Sequence, residues 1–85
     1  MTQRSDENLS HIIGREATAV DLSSTDYTDA RPFYIWVGVG GDVKVDLINS
    51  TGVTFKNVPE GWLEVWARKV YKVGTSADEL LACRG

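Results

Sequence analysis

From Phe33 onward the chain alternates between apolar and polar side chains in short runs, which is typical of β-strands. The runs 43–47 and 53–56 alternate with a period of two, and 33–37 is aromatic and β-branched throughout. Turn residues separate these runs at intervals of about eight to twelve positions. The pattern predicts an all-β fold, a small antiparallel β-sandwich or barrel of about six to eight short strands with an extended N-terminal arm.

The turn residues between the runs divide the chain into predicted strands. These strands are 17–22, 33–37, 43–47, 53–56, 63–73 and 79–83, with a loop at 23–30 and turns at 40–41, 49–52, 57–61 and 74–78. Gly40-Gly41 predicts a hairpin with an odd-numbered loop, because a shared apolar face then joins 35–37 to 43–45. The outcome is a three-stranded meander.

The second hairpin of this meander follows the same rule. Pairing Leu47 with Val53 and Val45 with Phe55 keeps the apolar side chains on one face. The opposite, wet face then carries Lys44, Asp46, Thr54 and Lys56.

The long strand 63–73 does not keep one apolar face. Lys69 falls on the same face as Leu63, Val65 and Ala67. Two explanations remain open: Lys69 faces a partner, or a β-bulge near Arg68-Lys69 exchanges the two faces.

The first third of the chain differs from the rest in charge. Residues 1–30 carry two basic and six acidic side chains, a net charge of −4, whereas 31–85 carry a net charge of +1. We therefore divide the chain into an N-terminal arm, residues 1–16, flexible or ordered by a partner, and a β domain, residues 17–85. Within the arm, Ile12 and Ile13 are assigned to a partner contact.

Composition and motifs argue against catalysis. One cysteine and one histidine cannot supply an ordinary zinc site, and the glycines at 38–41 lack the helix-opening context of a phosphate loop. The net charge of −3 disfavours a nucleic-acid partner, and the longest apolar run, seven residues at 33–39, is too short to cross a bilayer. We expect no enzymatic activity, cofactor, metal, nucleic acid or membrane insertion.

The tryptophans are the most informative candidates for binding. Trp36, Trp62 and Trp66 are more aromatic surface than a small core needs, and Trp66 shares a face with Arg68. Exposed aromatic side chains mark protein interfaces or sugar-stacking surfaces, but they also close the ends of small barrels. The candidate interface comprises Trp36, Trp62, Trp66, Arg68, Ile12 and Ile13.

Several segments together resemble a known family. They are 33–45 (FYIWVGVGGDVKV), 53–61 (VTFKNVPEG), 65–71 (VWARKVY), 74–77 (GTSA) and 17–20 (ATAV) with Asp26. Over residues 17–82 the chain is similar to the head spike base proteins of gene transfer agents and related tailed phages. The three tryptophans are bulkier than the family pattern, and residues 1–16 fall outside the match.

The resemblance implies a structural virion protein without catalytic residues, which attaches a spike or fibre to a capsid vertex. Its partners would be the vertex protein, the spike or fibre, and further copies of itself, a pentamer by the vertex symmetry. It would be made in the bacterial cytoplasm and located in the head of a virion or gene-transfer-agent particle. The alternative is a lectin-like carbohydrate-binding module that uses the tryptophans, and a third possibility is a domain that adds a strand to a partner.

Overall fold

A computed structural model describes residues 16–84, and these residues form a single antiparallel sheet of six strands. The strands are β1 (Glu16–Ala19), β2 (Tyr27–Val39), β3 (Gly41–Leu47), β4 (Val53–Val58), β5 (Gly61–Val70) and β6 (Asp78–Arg84). Their order across the sheet is β1-β6-β2-β5-β3-β4. The predicted all-β, antiparallel fold class is confirmed.

The core lies on the inner face of this curled sheet. Every second residue over 33–37 of β2 and 43–47 of β3 points into it, as the period of two requires. The largest fully buried side chains are Phe33, Ile35, Val37, Val43, Val45 and Val70. Burial of side chains of this size contributes about 1.5–3 kcal/mol each, so these few positions dominate the stability of a domain this small.

The hairpin predicted at Gly40-Gly41 is wrong. Among the described strands, β2 pairs with β5 and β6, whereas β3 pairs with β4 and β5. The chain turns a corner instead. A Cβ atom at Gly40 would lie 2.7 Å from the Val58 carbonyl oxygen, and one at Gly41 would lie 2.7 Å from the Ala77 nitrogen. The two glycines are needed because other backbone segments approach this corner closely.

The β3–β4 hairpin forms, but its register is two residues from the predicted one. Val45 lies opposite Val53 and Val43 lies opposite Phe55. The longer loop has a polar cause, because the Asp46 carboxylate accepts a hydrogen bond from the Gly52 amide at 2.8 Å. The predicted faces are preserved, because a shift of two residues keeps every side chain on its side.

The loop predicted at 23–30 is partly wrong, since β2 already begins at Tyr27. Tyr27 pairs with Val70, and its ring packs edge-on against Phe33 at 5.4 Å between centroids. The register then slips between Thr28 and Phe33. Residues 23–26 do form the loop, while Thr28 and Asp29 lie in this irregular part of the strand, where the Arg31 amide donates to the Asp29 carboxylate at 3.1 Å.

A β-bulge in β5 resolves the conflict at Lys69. Ala67 and Val70 are both fully buried although they are three positions apart, and Ala67 and Lys69 pair with consecutive residues of β3. Arg68 is therefore the extra residue that exchanges the faces. Lys69 also has partners on the outer side: its Nζ lies 3.3 Å from the Asp26 carboxylate and 4.6 Å from the Tyr71 ring centroid.

A carboxylate ties β3 to the segment that follows β5. Asp46 accepts hydrogen bonds from the Tyr71 hydroxyl at 2.7 Å and from the Gly52 amide at 2.8 Å. Both bonds favour the ionised carboxylate, so they lower the pKa of Asp46, with the Tyr71 bond as the larger cause. Bonds from the Lys72 and Asn57 amides lower the pKa values of Asp26 and Asp42 in the same way.

We predict that this tie makes stability depend on acid pH. A carboxyl whose folded-state pKa lies below the ordinary value of about 3.9 stabilises the fold above that value and loses its effect as pH falls through the folded pKa. The free energy of urea unfolding should therefore decrease between pH 5 and pH 3, and less steeply in Asp46→Asn than in the unmodified protein. Glu60→Gln, which removes a carboxylate from an exposed turn, is the control. Equal pH slopes in Asp46→Asn and the unmodified protein would contradict the prediction.

Candidate functional site

The three predicted tryptophans gather on the outer face of β2 and β5. Trp36 lies directly opposite Trp62, and Tyr34 joins them between Trp62 and Trp66. The ring centroids are 5.1 Å apart for Trp36–Trp62, 5.4 Å for Tyr34–Trp62 and 5.6 Å for Tyr34–Trp66. We call these four residues the outer aromatic cluster. The contacts are tilted or edge-to-face, the geometry that aromatic quadrupoles favour.

The members of the outer aromatic cluster differ in exposure. Tyr34 is 8% exposed, whereas Trp66 is 53% exposed. Trp36 and Trp62 are half-buried. The cluster therefore presents chiefly one ring, that of Trp66, to a partner, while the other three rings support it from the sheet.

An open groove of about 390 Å³ lies beside the exposed ring. It is lined by Arg31, Pro32, Ile48, Trp66 and Arg84. We call this surface the Trp66 groove. Ile48, at the end of β3, is 49% exposed, so the groove presents apolar and aromatic surface together with two guanidinium groups. This combination suits a partner that offers an apolar group next to a carboxylate.

A network of ion pairs forms one wall of the Trp66 groove. The Arg84 guanidinium binds the Asp29 carboxylate and lies 3.4 Å from that of Glu16. Glu16 also pairs with Arg31 at 2.7 Å. The Arg84 side chain is only 10% exposed, whereas that of Arg31 is 65% exposed. Arg84 therefore acts mainly within the fold, and Arg31 is the guanidinium that a partner reaches first.

Of the remaining predicted interface residues, the structure describes Arg68. Arg68 is exposed at the bulge of β5 and is not among the residues 16–84 that line the Trp66 groove. Ile12 and Ile13 fall outside the described residues.

Sequence reasoning missed Arg31, Pro32, Ile48 and Arg84 as site residues. Arg84 could have been predicted, because it lies on the same face of its strand as the buried Leu80 and Ala82. A charged side chain on a buried face requires a partner of opposite charge. Ile48 carried none, because its place in the groove depends on the pairing of β3 with β5.

The side chains of the described region that could react or bind a metal show no unusual arrangement. Burial raises the pKa of the Cys83 thiol, and Cys83 lies 3% exposed beneath the outer face. Within residues 16–84 no three His, Cys, Asp or Glu side chains gather to hold a metal ion. The same part of the chain has no helix long and apolar enough to cross a bilayer.

Comparison of the chain with protein-family models, with curated proteins and with solved structures finds no match. The function of this chain is therefore inferred from the geometry of this surface and from the resemblance described above.

We predict that the two groove arginines differ in their effect on stability. Arg84→Met should lower the free energy of unfolding by about 2–3 kcal/mol, because it removes a buried partner from Asp29. Arg31→Met should cost less than about 1 kcal/mol, because it breaks only an exposed pair with Glu16. Urea unfolding at pH 7, followed by circular dichroism, measures both. Equal losses in the two variants would contradict the assignment of Arg84 as the buried centre of the network.

Proposed function

We propose that this protein is a structural assembly subunit, a head spike base that attaches a spike or fibre to the capsid vertex of a phage or gene-transfer-agent particle. The Trp66 groove carries the proposal. It combines a half-exposed tryptophan, an exposed isoleucine and an exposed arginine in one surface. Tryptophan and arginine are the residues most enriched among those that dominate binding energy at protein interfaces.

The support beneath Trp66 favours a binding role for this ring. Tyr34 packs edge-on against it at 5.6 Å, and β5 holds its backbone between two other strands. A ring held in this way loses little conformational entropy on binding, so most of its burial contributes to affinity. The resemblance supplies the identity of the partners, a vertex protein and a spike or fibre protein.

The charge around the groove narrows the chemistry of the partner. Asp29 engages Arg84, and Glu16 bridges Arg84 and Arg31, but the Arg31 side chain is still 65% exposed and can bind a second carboxylate. A partner segment with an apolar residue beside an Asp or Glu would fill the groove and pair with Arg31.

We predict that Trp66→Ala weakens attachment to particles without unfolding the protein. Truncating a central interface tryptophan costs about 2 kcal/mol or more, which corresponds to roughly a 30-fold loss of affinity. Co-sedimentation with capsids that lack this protein, and binding to the isolated vertex and fibre proteins, measure the effect. Val73→Ala is the matched control, because Val73 is 80% exposed and lies outside the groove lining. The proposal fails if the unmodified protein binds no particle protein, or if Trp66→Ala binds as well as it does.

The carbohydrate-binding alternative has one observation in its favour. Trp66 and Arg31 line the same groove, and an aromatic ring with a polar donor in one site can bind the apolar face and hydroxyls of a sugar.

This alternative predicts glycan binding by the isolated protein. Trp66→Ala should abolish that binding, whereas Trp66→Tyr, which keeps a stacking face, should retain affinity to within about tenfold. A glycan array followed by titration calorimetry measures both variants. The carbohydrate reading is rejected if no glycan binds, or if Trp66→Ala leaves glycan binding unchanged.

A further inference from the structure

The sheet ends in two strands that each have a free edge among the described residues, β1 on one side and β4 on the other. Such edges pair readily with other chains unless proline, lysine or a bulge blocks them. β1 has none of these: its sequence is Glu-Ala-Thr-Ala, and all four side chains are exposed. β4 carries one lysine, Lys56, and a register shift against β3 near Asn57, whose φ is 55°, so its regular and open part is 53–56.

The backbone groups that β1 presents outward can be identified from its hydrogen bonds. The Val20 amide donates to the Leu80 carbonyl at 3.0 Å, in the register that also pairs Thr18 with Ala82. Alternate residues of an antiparallel strand bond to opposite sides. Thr18 therefore bonds toward β6, and the N–H and C=O groups of Ala17 and Ala19 point to the free edge.

The outward-pointing backbone groups of β4 can be identified from the hydrogen bonds of its neighbour β3. The Lys44 carbonyl accepts from the Tyr71 amide at 2.8 Å, and the Lys44 amide donates to the Thr75 hydroxyl at 3.0 Å. Both groups of Lys44 thus point away from β4, so its partner Thr54 makes no ladder bond to it. Thr54 and Lys56 therefore present their N–H and C=O groups at the free edge of β4.

We propose that copies of this chain join head to tail, with β4 of one copy pairing antiparallel with β1 of the next. All neighbours in the sheet are antiparallel, so its two outermost strands run in opposite directions and the added strand continues the alternation. The outward groups match when Ala17 lies opposite Lys56 and Ala19 opposite Thr54. Each of these two pairs exchanges two backbone hydrogen bonds.

The side chains favour this arrangement over pairing of like edges. The register places Val20 opposite Val53 and Thr18 opposite Phe55 on the inner face. Val20 and Phe55 are partly buried residues at the margins of the core, so the joint continues the core from one copy into the next.

Charge also distinguishes the three joints that the two free edges allow, which are β4–β1, β4–β4 and β1–β1. In the head-to-tail joint Lys56, which pairs with Asp42 of its own copy at 3.5 Å, lies opposite the neutral Ala17, so no like charges meet. A β4–β4 joint would bring two copies of Lys56 together on one face, which is repulsive. A β1–β1 joint would place Ala17 opposite Ala19 and Val20 opposite Glu16 of the other copy, so it would bury less apolar surface than the pairing of Val20 with Val53.

This inference deepens the proposed function and rests on it, because an assembly subunit is expected to contact further copies of itself. Because the joint uses the sheet edges and particle attachment uses the Trp66 groove, the two fail separately. Cross-linked oligomers without capsid binding would overturn only the proposed function. Capsid binding by a protein that shows no joint would overturn only this inference.

Cysteine cross-linking tests the register directly. Thr18 and Phe55 form a non-hydrogen-bonded pair in the proposed joint, where Cα atoms lie about 4.5 Å apart, within the range of a disulfide. A mixture of Thr18→Cys and Phe55→Cys proteins should give a one-to-one dimer as its main product under mild oxidation. Thr18→Cys alone links only in a β1–β1 joint, and Phe55→Cys alone only in a β4–β4 joint. Cys83 is 3% exposed, so the unmodified protein is the background control. Links in either single variant in place of the mixture, or no links in any sample, overturn the proposal.

A second pair of variants covers the case in which Phe55→Cys does not fold. Ala17 and Lys56 are exposed, and Ala17→Cys mixed with Lys56→Cys should give the same one-to-one dimer.

Proline substitutions test the free edge of β1. Ala19→Pro removes an amide that points outward, so it should leave a folded monomer where the unmodified protein sediments as an oligomer. Thr18→Pro removes an amide that bonds β6 and should reduce stability instead. The proposal is overturned if the unmodified protein is monomeric at about 100 μM. It is overturned as well if the joint forms only after residues 1–15 have been removed.

Discussion

The single-residue bulge at Arg68 is the constraint on which the rest of the sheet depends. β5 is the strand that joins the two halves, because it pairs with β2 on one side and with β3 on the other. Without the extra residue, Ala67 and Val70 could not both face the core, and one half of the strand would turn its charged side chains inward. The bulge instead lets one strand serve two partners, and it sends Lys69 outward to Asp26.

Irregularity in the strands also creates the surface proposed for binding. The register slip between Thr28 and Phe33 lies next to Arg31 and Pro32, which line the Trp66 groove. In the same segment, Asp29 binds the buried guanidinium of Arg84. The fold thus places its polar residues where regular pairing is interrupted, and the groove combines these residues with the aromatic side chains of the regular part.

The local pattern of the sequence determined which segments became strands, and non-local pairing determined how they met. The alternation in 43–47 and 53–56 correctly indicated two strands and their faces. Gly40-Gly41 was misread because a glycine pair serves a tight hairpin and a close backbone approach equally well, and only the positions of Val58 and Ala77 distinguish the two. In the same way, the sequence marked the tryptophans as surplus to the core, but their clustering depends on Trp36 lying opposite Trp62, a pairing between strands distant in the chain.

The strand order has a consequence for folding during synthesis on the ribosome. Among the six described strands β2 is the first strongly apolar one to be synthesised, and its partners β5 and β6 are the last two of the six. Its buried residues therefore stay uncovered by their partners until 61–84 have been synthesised. Folding of this sheet is dominated by contacts between residues distant in the chain, which makes it slow for a domain of this size and leaves the apolar side chains of β2 open to aggregation in the meantime.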